Sequence, residues 1–269
     1  MFGGGAHATV ALPGGVSSGE GRLLREVGLR PLTGSEEDWL AHSRSAPAAQ
    51  AVSLVLSQCV VGDGDGPAGP ELARSLLVGD RDYLMLQLRR MTLGSHVHLV
   101  AGCPACSARM DVDFELDEVA VDRPERIEQA YEVDGVRFRL PTGGDQEAVA
   151  ELPLAEAVDA LLSRCVLDRS DRALTAEERE RVIAAMEAAA PRVEPELELT
   201  CPDCGHAFVL PMDMTTFFLD EMRVRSDQLL REIHALAFYY HWTEGEILRL
   251  TRDRRRAYLS LLSDELRSD

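Results

Sequence analysis

The chain has 269 residues, enough for a real hydrophobic core and two subdomains. Its 28 basic residues, all Arg, stand against 46 acidic ones for a formal net charge of −18. That balance argues against a dedicated nucleic-acid binder, which would carry a basic face.

The opening Met1-Phe2-Gly3-Gly4-Gly5-Ala6-His7 has no basic region and no apolar core, so no secretory leader is expected. No apolar run approaches the roughly 20 residues needed to span a bilayer, and the expectation is a soluble, cytoplasmic protein. Residues 1–20 are Gly-rich and read as a flexible arm with a strand candidate at Thr9–Pro13. Ser35 is a plausible cap for a short helix from Glu36. Ala48–Val61 reads as a helix with a stripe of Val52, Val55, Leu56, Cys59 and Val60. Gly62–Pro67 breaks it, and its acidic glycines do not fit a calcium loop. Helices follow at Glu71–Val78 and Arg81–Leu93, the second apolar on most sides and therefore sandwiched.

The pattern then switches to period two at His96–Val100 and runs into Cys103-Pro104-Ala105-Cys106. Met110–Phe114 is strand-like, and Tyr131–Leu140 reads as a hairpin turning at Asp134-Gly135. Helices are expected at Leu154–Leu167, with Leu154, Val158, Leu161, Leu162 and Cys165 on one face, and at Ala176–Ala190, opened by Thr175 and Glu178. Alternating Leu197–Thr200 leads into Cys201-Pro202-Asp203-Cys204, and Ala207–Leu210 leads out. The rest is helical: Asp227–His241 capped by Ser226, a short helix capped by Thr243, and a last one capped by Thr251. This tail looks too narrow to bury itself without docking on the body or a partner.

The two C-P-x-C knuckles carry the chemistry. Each turn aims two sulfurs at one point, and four thiolates make a tetrahedral zinc site, with Cys103, Cys106, Cys201 and Cys204 as ligands. Strand, knuckle, strand is the pattern of a zinc ribbon. A redox C-x-x-C is the competing reading, but it needs a helix after the pair, and here a strand follows. A closed four-sulfur shell leaves no position for water, which makes the zinc structural.

His206 reads as a neighbour of the zinc rather than a ligand. His96 and His98 share a strand face, but no carboxylate is placed beside them by sequence. His234 and His241 sit among Phe238, Tyr239, Tyr240 and Trp242, read as core or docking aromatics. Arg252, Arg254, Arg255 and Arg256 form the only basic cluster and read as a solvated helix face. Nucleophile elbow, phosphate loop, dinucleotide fingerprint and metalloprotease helix are all missing, so no catalytic residue is assigned and the chain is read as a non-enzyme.

Three short matches recur in the same order. Leu32-Thr33-Gly34 echoes Pro141-Thr142-Gly143, Leu56–Val61 echoes Leu162–Leu167, and each is followed by a knuckle. An internal duplication is expected. The fold class is α+β, with internally duplicated helix-plus-zinc-ribbon halves and a C-terminal helical tail. The divisions are an arm at 1–20, a first half at 21–120, a second at 121–212 and a helical segment at 213–269.

Leu29–Gly34, the helix running from Leu77 through Gly79-Asp80-Arg81 to Gly94, and the knuckles resemble the baseplate hub assembly chaperone family of T-even-type contractile phage tails, which has relatives in phage-like contractile injection systems. The resemblance covers about residues 20 to 212. Separately, Tyr239–Trp242 through Glu246–Leu248 to Arg254–Arg256 is similar to the short helical tail-assembly proteins encoded beside tape-measure genes. Both imply a non-catalytic binding protein that assists or forms the baseplate, with hub, spike or tube-initiation proteins as partners; the knuckles add zinc to that expectation. Incorporation in the particle is then one expected location. A zinc-ribbon module acting on nucleic-acid machinery is the alternative, and it needs a basic face.

Overall fold

The structure, a computed structural model, describes residues 7–17, 23–43, 46–62, 66–167, 174–193 and 196–268. Helices and strands mix throughout in an α+β arrangement whose sheets are small and antiparallel. The chain divides into two compact units, neither continuous in sequence.

The first unit takes Met1–Leu29, Pro47–Leu84 and Ala120–Val193. Strand β1 (Ala8–Ser17) pairs with β2 (Leu23–Leu29), which pairs with the two-residue β3 (Val60–Val61). Residues 8–17 thus form a long strand where a loose arm was expected. The Thr9–Pro13 candidate lies within it, but alternation alone could not reveal its full length, because Leu12–Gly15 interrupts the register and Gly15 takes a positive φ of 91°. The acidic loop at 63–65 lies outside the described residues.

Helix α2 (Ala48–Cys59) buries the stripe its spacing demands, with Val52, Val55, Leu56, Cys59 and the following Val60 inside. Helix α3 (Gly69–Ser75) is followed by α4 (Val78–Leu93), which begins in the first unit and ends in the second. Its Leu84, Met85, Leu86 and Leu88 are all buried, as a sandwiched helix requires. The hairpin of β7 (Tyr131–Val133) and β8 (Val136–Phe138) turns at Asp134 and Gly135, both at positive φ, the conformation this dipeptide favours. Two-residue strands β6 (Val121–Asp122) and β9 (Arg192–Val193) also pair.

Helices α5 (Gly143–Val149), α6 (Leu154–Cys165) and α7 (Ala176–Ala189) complete the unit. Phe138, Leu140, Leu162, Cys165, Val182 and Met186 form its core. Leu154, placed by periodicity on the buried face of α6, is exposed: it is the first residue of the helix, where no neighbouring turn covers it.

The second unit takes Arg30–Ala46, Met85–Val119 and Glu194–Asp269. Helix α1 (Gly34–His42) is capped by Thr33 rather than Ser35, with Glu36 closing a capping box. It packs with α8 (Met214–Val224), α9 (Ser226–Tyr240) and α10 (Glu244–Leu248), and α9 packs with α11 (Arg252–Ser268). The C-terminal helices therefore bury Leu229, Ile233, Leu236 and Ile247 within the unit itself. Tyr240, Trp242 and Tyr258 add a ring cluster with centroids 4.8–5.8 Å apart.

Only half of the four-arginine cluster on α11 is a solvated face, Arg254 and Arg256 being exposed. Arg252 and Arg255 are buried, Arg255 completely, and both point at the buried Glu37 of α1. Arg254 lies over the Tyr258 ring, its guanidinium carbon 5.1 Å from the centroid. Helical periodicity places the two buried arginines three residues apart on one face, but sequence does not show that carboxylates wait there.

One local arrangement occurs twice. Arg30 grips Glu36 and donates to the Pro31 carbonyl, while Arg139 grips Asp145 and donates to the Leu140 carbonyl. The Gly34 N–H, opening α1, donates to the Leu250 carbonyl ahead of α11. The Gly143 N–H, opening α5, donates to the Leu76 carbonyl ahead of α4. Each glycine lies under a fully buried arginine, Arg255 in one case and Arg81 in the other. Helices α2 and α6 both follow a proline, have twelve residues, end in a buried cysteine and continue into an extended valine.

Candidate metal centre

Two hairpins in the second unit carry the cysteines. Strands β4 (His96–Gly102) and β5 (Arg109–Glu115) pair in full register across the first knuckle, and β10 (Glu196–Thr200) and β11 (Ala207–Pro211) across the second. Strict alternation buries Val97, Ala101, Met110, Val112 and Phe114. Leu197, Leu199, Phe208 and Leu210 of the second hairpin pack against the cluster holding Ala101, Met110, Val112, Cys103 and Cys201. Apolar packing between the hairpins is what brings the knuckle tips together.

Arg89 anchors the approach. Almost fully buried, it donates through Nη1 to the Gly94 and His96 carbonyls at 2.7 and 2.8 Å and through Nε to Glu221 of α8 at 3.0 Å. The turn into β4 is thereby fixed to the helical part of the same unit.

The knuckles share one turn geometry. The Ser107 N–H donates to the Cys103 carbonyl and the Cys103 N–H to the Ala108 carbonyl; the Gly205 N–H donates to the Cys201 carbonyl and the Cys201 N–H to the His206 carbonyl. Both turns need a left-handed residue, Ser107 at φ 61° and Gly205 at φ 72°.

All four sulfurs lie within 4.8 Å of one another. Cys103 is 3.7 Å from Cys204 and Cys106 is 3.6 Å from Cys201, sulfur to sulfur. A tetrahedron with metal–sulfur bonds of about 2.3 Å has edges of about 3.8 Å. The donor set and spacing fit a tetrahedral thiolate-bound ion. Cys103 and Cys201 are buried and Cys106 and Cys204 exposed, so the ion would sit at the rim of the hairpin pair.

The electrostatics favour a first thiolate at Cys103. Burial opposes its charge, but the Cys106 and Ala105 backbone N–H groups and neighbouring thiols outweigh that and bring the thiol down to about 7. At Cys106 the Ala108 N–H favours the thiolate, yet hydrogen bonds with the other sulfurs and burial push it up to about 12. A cation that binds thiols held protonated in this way displaces their protons.

The sequence-derived residues sort clearly. Cys103, Cys106, Cys201 and Cys204 are brought together. His206 is exposed, stacks on Phe208 and contributes its main chain to the second knuckle. His234 stacks against the exposed Phe238. His96 and His98 do have carboxylate neighbours, contrary to expectation: Asp111, Asp113 and Glu115 face them from β5. The signal was the alternating Asp111-Val112-Asp113-Phe114-Glu115, which becomes informative only once the hairpin register pairs it with His96–Val100.

The class is therefore a mixed α+β protein in which two packed hairpins converge four cysteines on a point able to hold a metal ion. Residues 9–166, more than half the chain, match the model of a family described as T4 bacteriophage base plate protein. The chain belongs to that family. The matched span includes the first knuckle and ends before the second. No curated protein and no solved structure matches the chain. Among the described residues, no helix is long and apolar enough to cross a membrane.

Proposed function

We propose that this protein is a zinc-binding component or assembly factor of the baseplate of a contractile phage tail or related injection system, acting on hub, spike or tube-initiation proteins without catalysis. Membership of the base plate family is the observation that carries it. Zinc is the ion best suited to four thiolates at these separations, and its role is structural, closing one hairpin on the other. The proposed ligands are Cys103, Cys106, Cys201 and Cys204.

The chain is also read as two repeats, 21–120 and 121–212, with flanking segments at 1–20 and 213–269. The paired Arg–Thr-Gly helix starts, the proline-led helices ending in Cys59 and Cys165, and the matched knuckle turns support that reading. A nucleic-acid role gains nothing from α11, whose Arg252 and Arg255 are spent on buried carboxylates.

The experiment is affinity capture of the tagged chain from its native host, with mass spectrometry on the capture and on purified particles. Baseplate proteins in the capture, with the chain also in particles, make it a resident component. The same partners with the chain absent from particles make it an assembly factor. Capture of RNA polymerase, or of no tail proteins, overturns the reading.

A further inference from the structure

Little besides sulfur holds the two hairpins together. The core they share has five buried residues, Ala101, Cys103, Met110, Val112 and Cys201, and two of these are cysteines. Closure of one hairpin on the other therefore depends on what the sulfurs are bound to.

Across the hairpins the sulfurs approach in two pairs, Cys103 with Cys204 at 3.7 Å and Cys106 with Cys201 at 3.6 Å. Each pair joins one buried cysteine to one exposed one. A peroxide-reactive pair needs that division of labour, with an accessible sulfur to be oxidised and a sheltered one to attack it. A disulfide asks each pair to close by about 1.6 Å more. The other two cysteines, Cys59 and Cys165, are fully buried in the first unit, and burial pushes the Cys165 thiol up to about 11. An oxidant of thiols therefore meets the cluster first.

We propose that the cluster is a clasp with two closed states: metal-bound when reduced, and disulfide-bonded across the hairpins, Cys103 to Cys204 and Cys106 to Cys201, after reaction with a peroxide. The proposal rests on reading the four cysteines as a metal centre. In each pair the exposed thiolate attacks a peroxide oxygen, the O–O bond breaks, and a sulfenic acid and hydroxide form. The buried sulfur then attacks the sulfenic sulfur, the S–S bond forms, and the S–O bond breaks to release a second hydroxide. Two protons convert the hydroxides to water. One peroxide is thus reduced per disulfide, two thiolates are oxidised, and after both pairs have reacted no thiolate is left to hold a metal ion. Closure has passed from the ion to covalent bonds, which suits a protein that leaves a reducing cytosol.

The test uses the full chain purified under reducing conditions, its metal quantified by elemental analysis, then treated with two equivalents of hydrogen peroxide. An unreduced tryptic digest read by mass spectrometry is expected to contain peptide 91–109 joined to peptide 193–223, with dithiothreitol separating them. Partial reduction and alkylation should assign the partners as Cys103–Cys204 and Cys106–Cys201. A chromogenic chelator should register the ion's release in step with the loss of thiols. The oxidised, metal-free protein should melt near the reduced, metal-bound form and well above reduced protein stripped by chelator. Disulfides within each knuckle overturn the proposal, as does any other pairing, sulfinic acids in place of disulfides, or a melt as low as that of the stripped protein. A reduced chain without metal overturns the zinc reading instead, and the peptide map still decides the pairing.

Discussion

Arg255 donates through Nη2 to both carboxylate oxygens of Glu37 at 2.9 Å, joining residues 218 positions apart in the chain. Its Nε reaches Glu232 at 2.9 Å and its Nη1 the Leu250 carbonyl, so α1, α9 and α11 meet on one guanidinium. Burial pushes the Glu37 carboxyl up and the arginines resist, Arg255 first and Arg252 after it. Removing the cation leaves two carboxylates without adequate compensation away from water. Arg255→Met is expected to cost about 3–5 kcal/mol in urea denaturation. Adding Glu37→Leu and Glu232→Leu should recover most of that loss; no recovery would mean the cost lies in packing rather than charge.

Cys201→Ser/Cys204→Ser removes two of the four sulfurs. The purified variant is expected to lose its bound metal by elemental analysis and to melt at a markedly lower temperature, since structural zinc contributes roughly 10–16 kcal/mol in small finger peptides. Acidification should release the ion from the wild type as thiolates take up protons. A metal-free wild type, or a variant as stable as the parent, would refute the zinc assignment.

Asp80 gives a pH dependence with a definite sign. Its carboxyl is buried, accepts the Gly14 N–H at 2.7 Å through Oδ1, and leaves Oδ2 without a partner. Burial outweighs the N–H groups of Gly14 and Gly15 and raises it from 3.8 to about 6. The folded protein therefore holds this proton more tightly than the unfolded chain, and the group's contribution falls as pH rises from about 4 to about 6, on the order of 3 kcal/mol in all. Asp80→Asn keeps the acceptor and removes the charge. Its stability relative to wild type should rise between pH 4 and 7; a pH-independent difference would contradict the raised value.

Gly143 has no room for a side chain. A Cβ there would collide with Nη1 of Arg81 and lie 2.5 Å from its Cζ, and Arg81 is itself buried. Gly143→Ala is expected to cost about 1–3 kcal/mol through forced rearrangement. Gly245→Ala in α10, whose Cβ would meet nothing nearer than 3.9 Å, should be neutral or slightly stabilising. Equal effects at the two positions would argue against the close approach.

What could be read from sequence was what depends on local pattern. The knuckles, the stripe of α2, the Asp134-Gly135 turn and the capping boxes at Thr175 and Thr243 are all dictated within a few residues, and the structure has them. What escaped depends on distant partners. Arg255 is indistinguishable from Arg254 until Glu37 is placed beside it, and His96 and His98 lack carboxylates until β5 is in register. The strand candidate at Thr9–Pro13 lies within β1, but its interruption at Leu12–Gly15 concealed the strand's full length, and α1 is capped by Thr33 because Glu36 can reach back to it.

The cysteine cluster also sets an order of events during synthesis. Cys103 lies 101 residues before Cys204, and Cys106 lies 95 before Cys201. At about 5–20 residues per second, the first knuckle is synthesised roughly 5–20 s before the second. In that interval it offers only two sulfurs, a weak and reversible hold on any ion, and the apolar face of β4–β5 has no mate. A four-sulfur cluster is complete only once residue 204 has been made, and a chain cut short before it carries an unmatched thiol pair.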